Sequence, residues 1–389
     1  MTDFAARRSA VSSPPPPFEN EVDLTAVARV AVVEIEASPC AVVATAVRKN
    51  GRFRWGAGAF GRLSFSPVAS AVSTHSPFDL ASVTKPFTAL SLARLEKKGM
   101  LSRKERLGEV VPELADTFAG RLPLDLLASH RAGLDGHRPL YAPLVTGERV
   151  DRAKALEIAA SARRVEVVGD VPDEGYPAVY SDLGYLLLGE AIARRAGRLI
   201  DEVVLEEVVG PLGLWVGSAR QLSASQSDFD DKVAPTEEVE WRGGVIRGCV
   251  HDENAWAMAG RGSCGHAGLF GDARSVVLLG AAILEALKGE RPDWLAAEDL
   301  EPVLRPRPNG SHLAGFDSRT GETPSSGPKF GPKTFGHLGF TGTSLWIDPE
   351  AERVGVLLTN RVHPTRAKDA IRRARPAVYE RLVDAMEGQ

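Results

Sequence analysis

Apolar residues recur along this chain with two different periods. Val and Ala dominate from Cys40 to Arg48, Asn50-Gly51 follows, and a second run extends from Arg52 to Phe60. Asn-Gly between two apolar runs predicts a β-hairpin, because both residues tolerate the left-handed backbone that a tight turn needs. Far downstream, Thr343 to Ile347 and Val354 to Thr359 flank Asp348-Pro349-Glu350, a turn sequence, which predicts a second hairpin. The middle of the chain shows the longer period. Leu80, Val83, Phe87, Leu90 and Leu95 are spaced for a helix over Asp79 to Gly99, and Gly99 suits its C-terminus. Leu183 to Ala196, ending at Gly197, predicts another helix. Further helices are expected over Val22 to Glu36 and Ala367 to Met386, and loops over 217–265 and 305–336. Strands near both ends, with helices between and outside them, predict a sheet closed from both termini.

Charge and composition narrow the class. The chain has 389 residues, 43% of them hydrophobic and 25% charged, with a net charge of −4. That is globular composition, and no Lys/Arg run forms a basic arm for nucleic acid. Cys40, Cys249 and Cys264 are odd in number and have no close pair, which argues against a disulfide framework or a zinc ribbon. Residues 1–21 read as a disordered tail around Pro14-Pro15-Pro16-Pro17, and 22–389 as the folded domain. No apolar leader follows Arg7-Arg8 and no run is long enough to span a membrane, so a cytoplasmic location is expected.

Three short motifs can carry chemistry. In Ser82-Val83-Thr84-Lys85, a serine and a lysine at i and i+3 share one helix face. A serine needs a proton acceptor to become a nucleophile, and a buried lysine with a lowered pKa can be one. At the start of a helix, such a serine also meets backbone N–H groups that favour developing negative charge. A helix-start serine beside a surface lysine explains the same four residues. Tyr180-Ser181-Asp182 precedes the Leu183 helix. Tyr180 can shuttle protons, and Asp182 can equally be the helix N-cap. His337-Leu338-Gly339-Phe340-Thr341-Gly342 leads into the second hairpin. Its glycines permit close backbone approach to a ligand, or simply make a turn.

Taken together, the order and separation of these motifs resemble the serine β-lactamase/penicillin-binding-protein family, in the branch of class C β-lactamases, DD-peptidases, D-aminopeptidases and esterases. Ser129-His130-Arg131-Ala132-Gly133-Leu134, Tyr180-Ser181-Asp182-Leu183-Gly184-Tyr185, Val250 to Ala255, Gly265 to Phe270 and Phe335 to Pro349 are all similar to family segments. The resemblance spans about residues 22 to 387. It implies an α+β fold, an antiparallel sheet flanked by terminal helices, with an inserted, mainly helical subdomain over roughly 100–250. It further implies Ser82 as acylated nucleophile, Lys85 and Tyr180 as proton acceptor and relay, and the N–H groups of Ser82 and Phe340 as oxyanion hole. Asp182, His337 and Gly339 then contact substrate. No cofactor or metal is required, and the expected partner is a small ester, amide or D-amino-acid peptide. Oligomeric state is not legible.

Two departures bear on the substrate. Asp182 stands where the family pattern ends in Asn, and His337-Leu338-Gly339 replaces Lys-Thr-Gly. A histidine there supplies a weaker, pH-dependent charge, and Leu338 no hydroxyl, so an esterase or D-amino-acid peptidase is expected ahead of a β-lactamase or DD-carboxypeptidase.

Other readings compete. No intact G-x-S-x-G surrounds Ser263 and no H-E-x-x-H occurs. His251, Asp252, Glu253 and His266 offer ligand types for a metal, without diagnostic spacing. A catalytically idle sensor of β-lactams or peptides on the same fold is the non-enzyme alternative. Joint retention of Ser82, Lys85 and Tyr180 argues against it.

Overall fold

The structure, a computed structural model, describes residue 11 and residues 13–387. Its centre is a seven-stranded sheet built from both ends of the chain. The elements that position the site are β1 (Val22–Asp23), α1 (Thr25–Arg29), β2 (Cys40–Lys49), β3 (Arg52–Gly61), α2 (Thr84–Lys97), α3 (Asp182–Ala196), α4 (Ala273–Leu287), β4 (Asp317–Ser318), β5 (Phe335–Leu338), β6 (Ser344–Asp348), β7 (Arg353–Thr359) and α5 (Ile371–Glu387). The strand order is β1-β3-β2-β7-β6-β5-β4. Every pairing is antiparallel except that of β1 with β3.

Both predicted hairpins are present, for the expected local reasons. Lys49 pairs with Arg52, so the first loop is only Asn50-Gly51, at φ of 53° and 78°. Two positive φ values define the turn that matches strand twist, and Asn-Gly adopts it most readily. In the second, Asp348 Oδ1 accepts the N–H groups of Glu350 and Ala351, and Asp348 pairs with Arg353 across the loop. A short carboxylate thus holds the turn its sequence predicts.

The central strands are buried on both faces. In β2, Cys40, Val42, Ala44 and Ala46 belong to one apolar cluster, and Ala41, Val43 and Val47 to another. Alternation with period two sends successive side chains to opposite faces. One face meets α4, which crosses β2, β6 and β7. The other meets the terminal helices through Leu24, Val27, Val378, Tyr379 and Leu382. Full burial of such side chains stabilises by roughly 1.5–3 kcal/mol each. The helices between Leu107 and Leu212 gather around α2 and α3, and a short three-stranded sheet of Val216–Ser218, Leu269–Gly271 and Phe78–Asp79 ties this part to the segment ahead of Ser82.

Several boundaries differ from expectation. The helix expected from Val22 starts only at Thr25, because Val22–Asp23 pairs with Gly56–Ala57 and Asp23 Oδ1 accepts the Thr25 N–H. Its second half, Val30–Glu34, is wound more loosely, with Ile35 N–H reaching Val30 O. The last helix begins at Ile371, not Ala367, since Arg361 captures the carbonyls of Arg366 and Lys368. The loop expected over 217–265 contains three short α-helices, Ala219–Ser225, Phe229–Lys232 and Glu253–Ala259, and the 3-10 turn Glu240–Arg242. Residues 1–10 and 12 of the expected tail lie outside the described residues. Within its remainder, Phe18 stacks on Trp55 at 4.1 Å and Glu21 pairs with Arg274, while Ser13, Pro16 and Pro17 are exposed. All three cysteines are free thiols. Among the described residues, no helix is long and apolar enough to cross a membrane.

Candidate active site

The site begins one turn before α2. Phe78–Asp79 pairs with Phe270–Gly271, and the Asp79 carboxylate then accepts two backbone N–H groups, Ala81 at 2.8 Å and His251 at 2.7 Å. This folds the chain so sharply that Ala81 sits at φ 48°. A non-glycine residue in that region stores about 1–3 kcal/mol of strain and persists only where its surroundings over-determine it. Ser82 follows at once, in the short 3-10 turn Ala81–Val83, ahead of the α-helix and not within it.

The i, i+3 spacing still brings the pair together. Lys85 Nζ lies 3.0 Å from Ser82 Oγ, 2.7 Å from Asp182 Oδ1 and 3.1 Å from His266 O. Lys85 is fully buried, which excludes the surface-lysine reading. Burial holds its pKa below the ordinary lysine value, against the opposing pull of Asp182. Three polar contacts suit two protonation states. An ammonium donates to all three; a neutral amine donates to Asp182 and His266 O and accepts the Ser82 proton. Tyr180 adds a hydroxyl 2.7 Å from Ser82 Oγ. Burial, then the Asp182 charge, raises the Tyr180 pKa well above the ordinary phenol value, so it stands protonated. Its ring is held by His130 at 4.7 Å between centroids and has Lys85 Nζ 4.8 Å from its centroid.

Asp182 is not the helix cap. Ser181 caps α3, its Oγ accepting the Gly184 N–H, and this leaves the Asp182 carboxylate to reach Lys85.

The opposite wall is β5 and the turn after it. His337 is buried, and its Nδ1 lies 2.8 Å from Leu338 O. That contact assigns the proton to Nδ1 and leaves Nε2 as an acceptor. Burial, then Lys85, pushes the imidazole down to about 3. The expected pH-dependent charge at His337 is therefore corrected: the ring is neutral throughout the physiological range. The turn itself is tightly stitched. Thr341 Oγ1 donates to Asp79 O at 2.7 Å and Thr343 Oγ1 to Leu80 O at 2.9 Å, which couples it to the Ser82 segment. A Cβ on Gly339 would lie 1.9 Å from Thr343 Oγ1 and 2.7 Å from Leu80 O, so only glycine fits there. Phe340 points outward, 48% exposed, with Arg361 stacked 4.5 Å from its ring centroid.

Ser82, Tyr180, Asp182, His337, Gly339 and Phe340 line one cleft of about 750 Å³. Lys85 lies buried behind Ser82. Sequence reasoning missed three of the residues around it. His130 accepts the Ser181 N–H through Nδ1 and packs on both Tyr180 and Tyr185. Its place beside Ser129 in a family-like segment was the available signal. His312, 5.8 Å from the Tyr180 ring, lies in a stretch read only as loop. Arg375 donates to Gly339 O from a helix with no motif.

The residues considered for a metal are divided among separate partners. His251 meets Glu237 at 3.0 Å, Asp252 meets His266 at 2.9 Å, and Glu253 pairs with Arg366. Among the described residues, no group of three or more His, Cys, Asp or Glu side chains is placed to hold a metal ion.

Comparison with known proteins identifies the family. The β-lactamase family profile matches residues 34–379. A protein of Escherichia coli (strain K12), provisionally named a D-alanyl-D-alanine carboxypeptidase, is 27% identical over 314 residues, 75% of this chain and 70% of its own. Among solved structures, EstCE1, described as a hydrolase with promiscuous acyltransferase activity, shares the fold at a TM-score of 0.67 and 21% identity, over 91% of this chain and 97% of its own. A class C β-lactamase from Rhodobacter sphaeroides does so at 0.62 and 19% identity, over 92% and 99%. With its antiparallel sheet, and the profile matched across most of its length, the chain belongs to the β-lactamase family of serine hydrolases.

Proposed function

We propose that this protein hydrolyses a small ester or amide through an acyl-enzyme on Ser82, with esters the better substrates. The observation that carries this reading is the Ser82–Lys85–Tyr180 cluster, with both partners within 3.0 Å of Ser82 Oγ. Neutral Lys85 takes the serine proton as Oγ attacks the carbonyl carbon. The N–H groups of Ser82 and Phe340 receive the developing oxyanion. Tyr180 gives its proton to the leaving group and is reprotonated by the Lys85 ammonium, so no charge is left on either, and water releases the acyl group by the reverse sequence. Lys85 is a competent base because burial lowers its pKa, while Asp182 limits how far.

The base assignment has a sign that can be read. Lys85 must be neutral to act, so kcat/KM rises with pH through the lysine pKa. Asp182→Asn removes the carboxylate that raises this pKa. The acid limb of the pH profile is expected to move to lower pH in that variant. A limb that stays in place or moves up excludes Lys85 as the titrating group.

Substrate class follows from His337 and Leu338. A neutral imidazole and an isobutyl group offer a substrate carboxylate neither charge nor hydroxyl. Charge-assisted hydrogen bonds are roughly twice as strong as neutral ones, so the loss costs about 1–3 kcal/mol of carboxylate recognition. An activated ester needs no such anchor. p-Nitrophenyl butyrate is expected to exceed a chromogenic cephalosporin in kcat/KM on one preparation. The reverse preference would return the protein to the β-lactamases. One observation favours a second reading, a D-amino-acid peptidase: Lys368 and Arg372 line the rim of the cleft, where a peptide carboxylate could be met. D-alanyl peptides belong in the same panel.

A further inference from the structure

The acyl-transfer reading above, on which this inference rests, uses the Phe340 N–H as an oxyanion donor. That N–H and the Gly339 carbonyl belong to one peptide group. Nη2 of Arg375, on α5, lies 2.7 Å from Gly339 O and 3.0 Å from Thr343 O. The side chain is buried, and among the described residues no carboxylate stands within ion-pair distance of it. Its Nε is also buried and has no acceptor. Burial draws its pKa down to about 10, which still leaves it charged at neutral pH. A buried cation without a counter-ion is costly, and packing α5 against the sheet would be better served by an apolar side chain. The charge is instead spent on two backbone carbonyls beside the reacting centre.

We infer that Arg375 is a positioning residue for acyl transfer: its guanidinium polarises the Gly339–Phe340 peptide and so makes the Phe340 N–H a stronger oxyanion donor. A cation on an amide oxygen draws density from the amide nitrogen, and linked hydrogen bonds strengthen one another. The bond to Thr343 O fixes the guanidinium in place, because Thr343 O also accepts the N–H of Gly339, from the preceding peptide, at 2.8 Å. Gly339 O also accepts the Gly342 N–H at 3.1 Å, a neutral bond that closes the turn, so Arg375 is the charged donor on that carbonyl. Two further braces act elsewhere. Arg361 Nε donates to Phe340 O, which belongs to the next peptide, and Thr341 anchors the turn through its side chain. They set the direction of the donor; Arg375 sets its strength.

The test is the carbonyl band of an acyl-enzyme. Wild-type protein, Arg375→Met and Arg375→Lys are acylated with p-nitrophenyl pivalate carrying a ¹³C carbonyl, and infrared difference spectra are recorded alongside kcat and KM for p-nitrophenyl butyrate. A strong oxyanion donor lowers the carbonyl stretching frequency. Arg375→Met, similar in length and uncharged, is expected to move the band to higher frequency and to lower kcat about tenfold with KM unchanged. That is less than the 10²–10³-fold seen when an oxyanion donor is removed outright. Arg375→Lys restores the charge and returns both readouts toward wild type. A purely structural role would not move the band of a folded acyl-enzyme. If Arg375→Met does not fold, Arg375→Gln is read in its place. A band at the wild-type frequency with wild-type kcat, in either neutral variant, overturns the role of Arg375 and leaves the acyl-transfer reading standing. Failure of wild-type Ser82 to acylate overturns that reading first, and this role with it.

Discussion

Ser82→Ala is expected to abolish ester hydrolysis, lowering kcat on the order of 10⁶-fold, as removal of a catalytic nucleophile does in serine hydrolases. The side chain makes no contact that the fold depends on. Among the described residues its Oγ meets only Lys85 and Tyr180, and those two keep their own supports in Asp182, His266 O and the His130 ring. The variant should therefore unfold at about the wild-type temperature while losing covalent labelling by a fluorophosphonate. The strained Ala81 and the Asp79 bonds that hold it do not involve the Ser82 side chain, so the sharp turn persists. Intact-mass analysis locates the label. A probe found on Ser263 or Ser344 in the wild-type protein would refute the assignment, as would substantial turnover by Ser82→Ala. An idle sensor would keep the geometry of the cleft, yet show no turnover above the Ser82→Ala background.

Lys85 carries the second large effect. Lys85→Ala is expected to slow acylation by about 10²–10⁴-fold, the contribution of a positioned base. Lys85→Arg should fare no better, since a guanidinium holds its proton at any accessible pH and cannot accept the one on Ser82. Size also opposes it, because Lys85 has no exposed surface. Lys85→Ala leaves Asp182 without its cation, so some loss of thermal stability accompanies that change; Lys85→Arg keeps a cation, and any loss there comes from fitting the larger group. The two effects separate cleanly. Stopped-flow acylation of folded protein at low temperature reports the base alone, and a melting curve reports the unpaired carboxylate. Near-normal acylation by Lys85→Arg would remove Lys85 from the proton path and direct attention to Tyr180.

Local sequence determined the parts whose physics is local. Asn50-Gly51 demands a two-residue hairpin and Asp348 holds its own turn, so both hairpins were legible. Helical spacing from Leu80 to Leu95 placed Ser82 and Lys85 on one face before any tertiary contact was known. The resemblance of three motifs to the β-lactamase family brought Tyr180, His337 and Gly339 into the same account, although each motif alone was compatible with a bland reading.

What only the tertiary structure decided concerns charge and its partners. A protonation state depends on burial and on neighbours hundreds of residues away, and neither is encoded in a short window. In sequence Asp182 reads as a cap or, by the resemblance, as a substrate contact; Ser181 takes the cap, and the approach of α3 to α2 hands the carboxylate to Lys85. His337 reads as a titratable histidine, but burial beside Lys85 keeps it neutral. The start of α1 moved to Thr25 because the edge of β3 recruits Val22–Asp23, a non-local hydrogen-bonding choice that outweighs helical spacing. Arg375 lies in a helix that carries no motif, 36 residues from the carbonyl it contacts. Its role arises because folding buries a cation where the nearest acceptors are backbone oxygens.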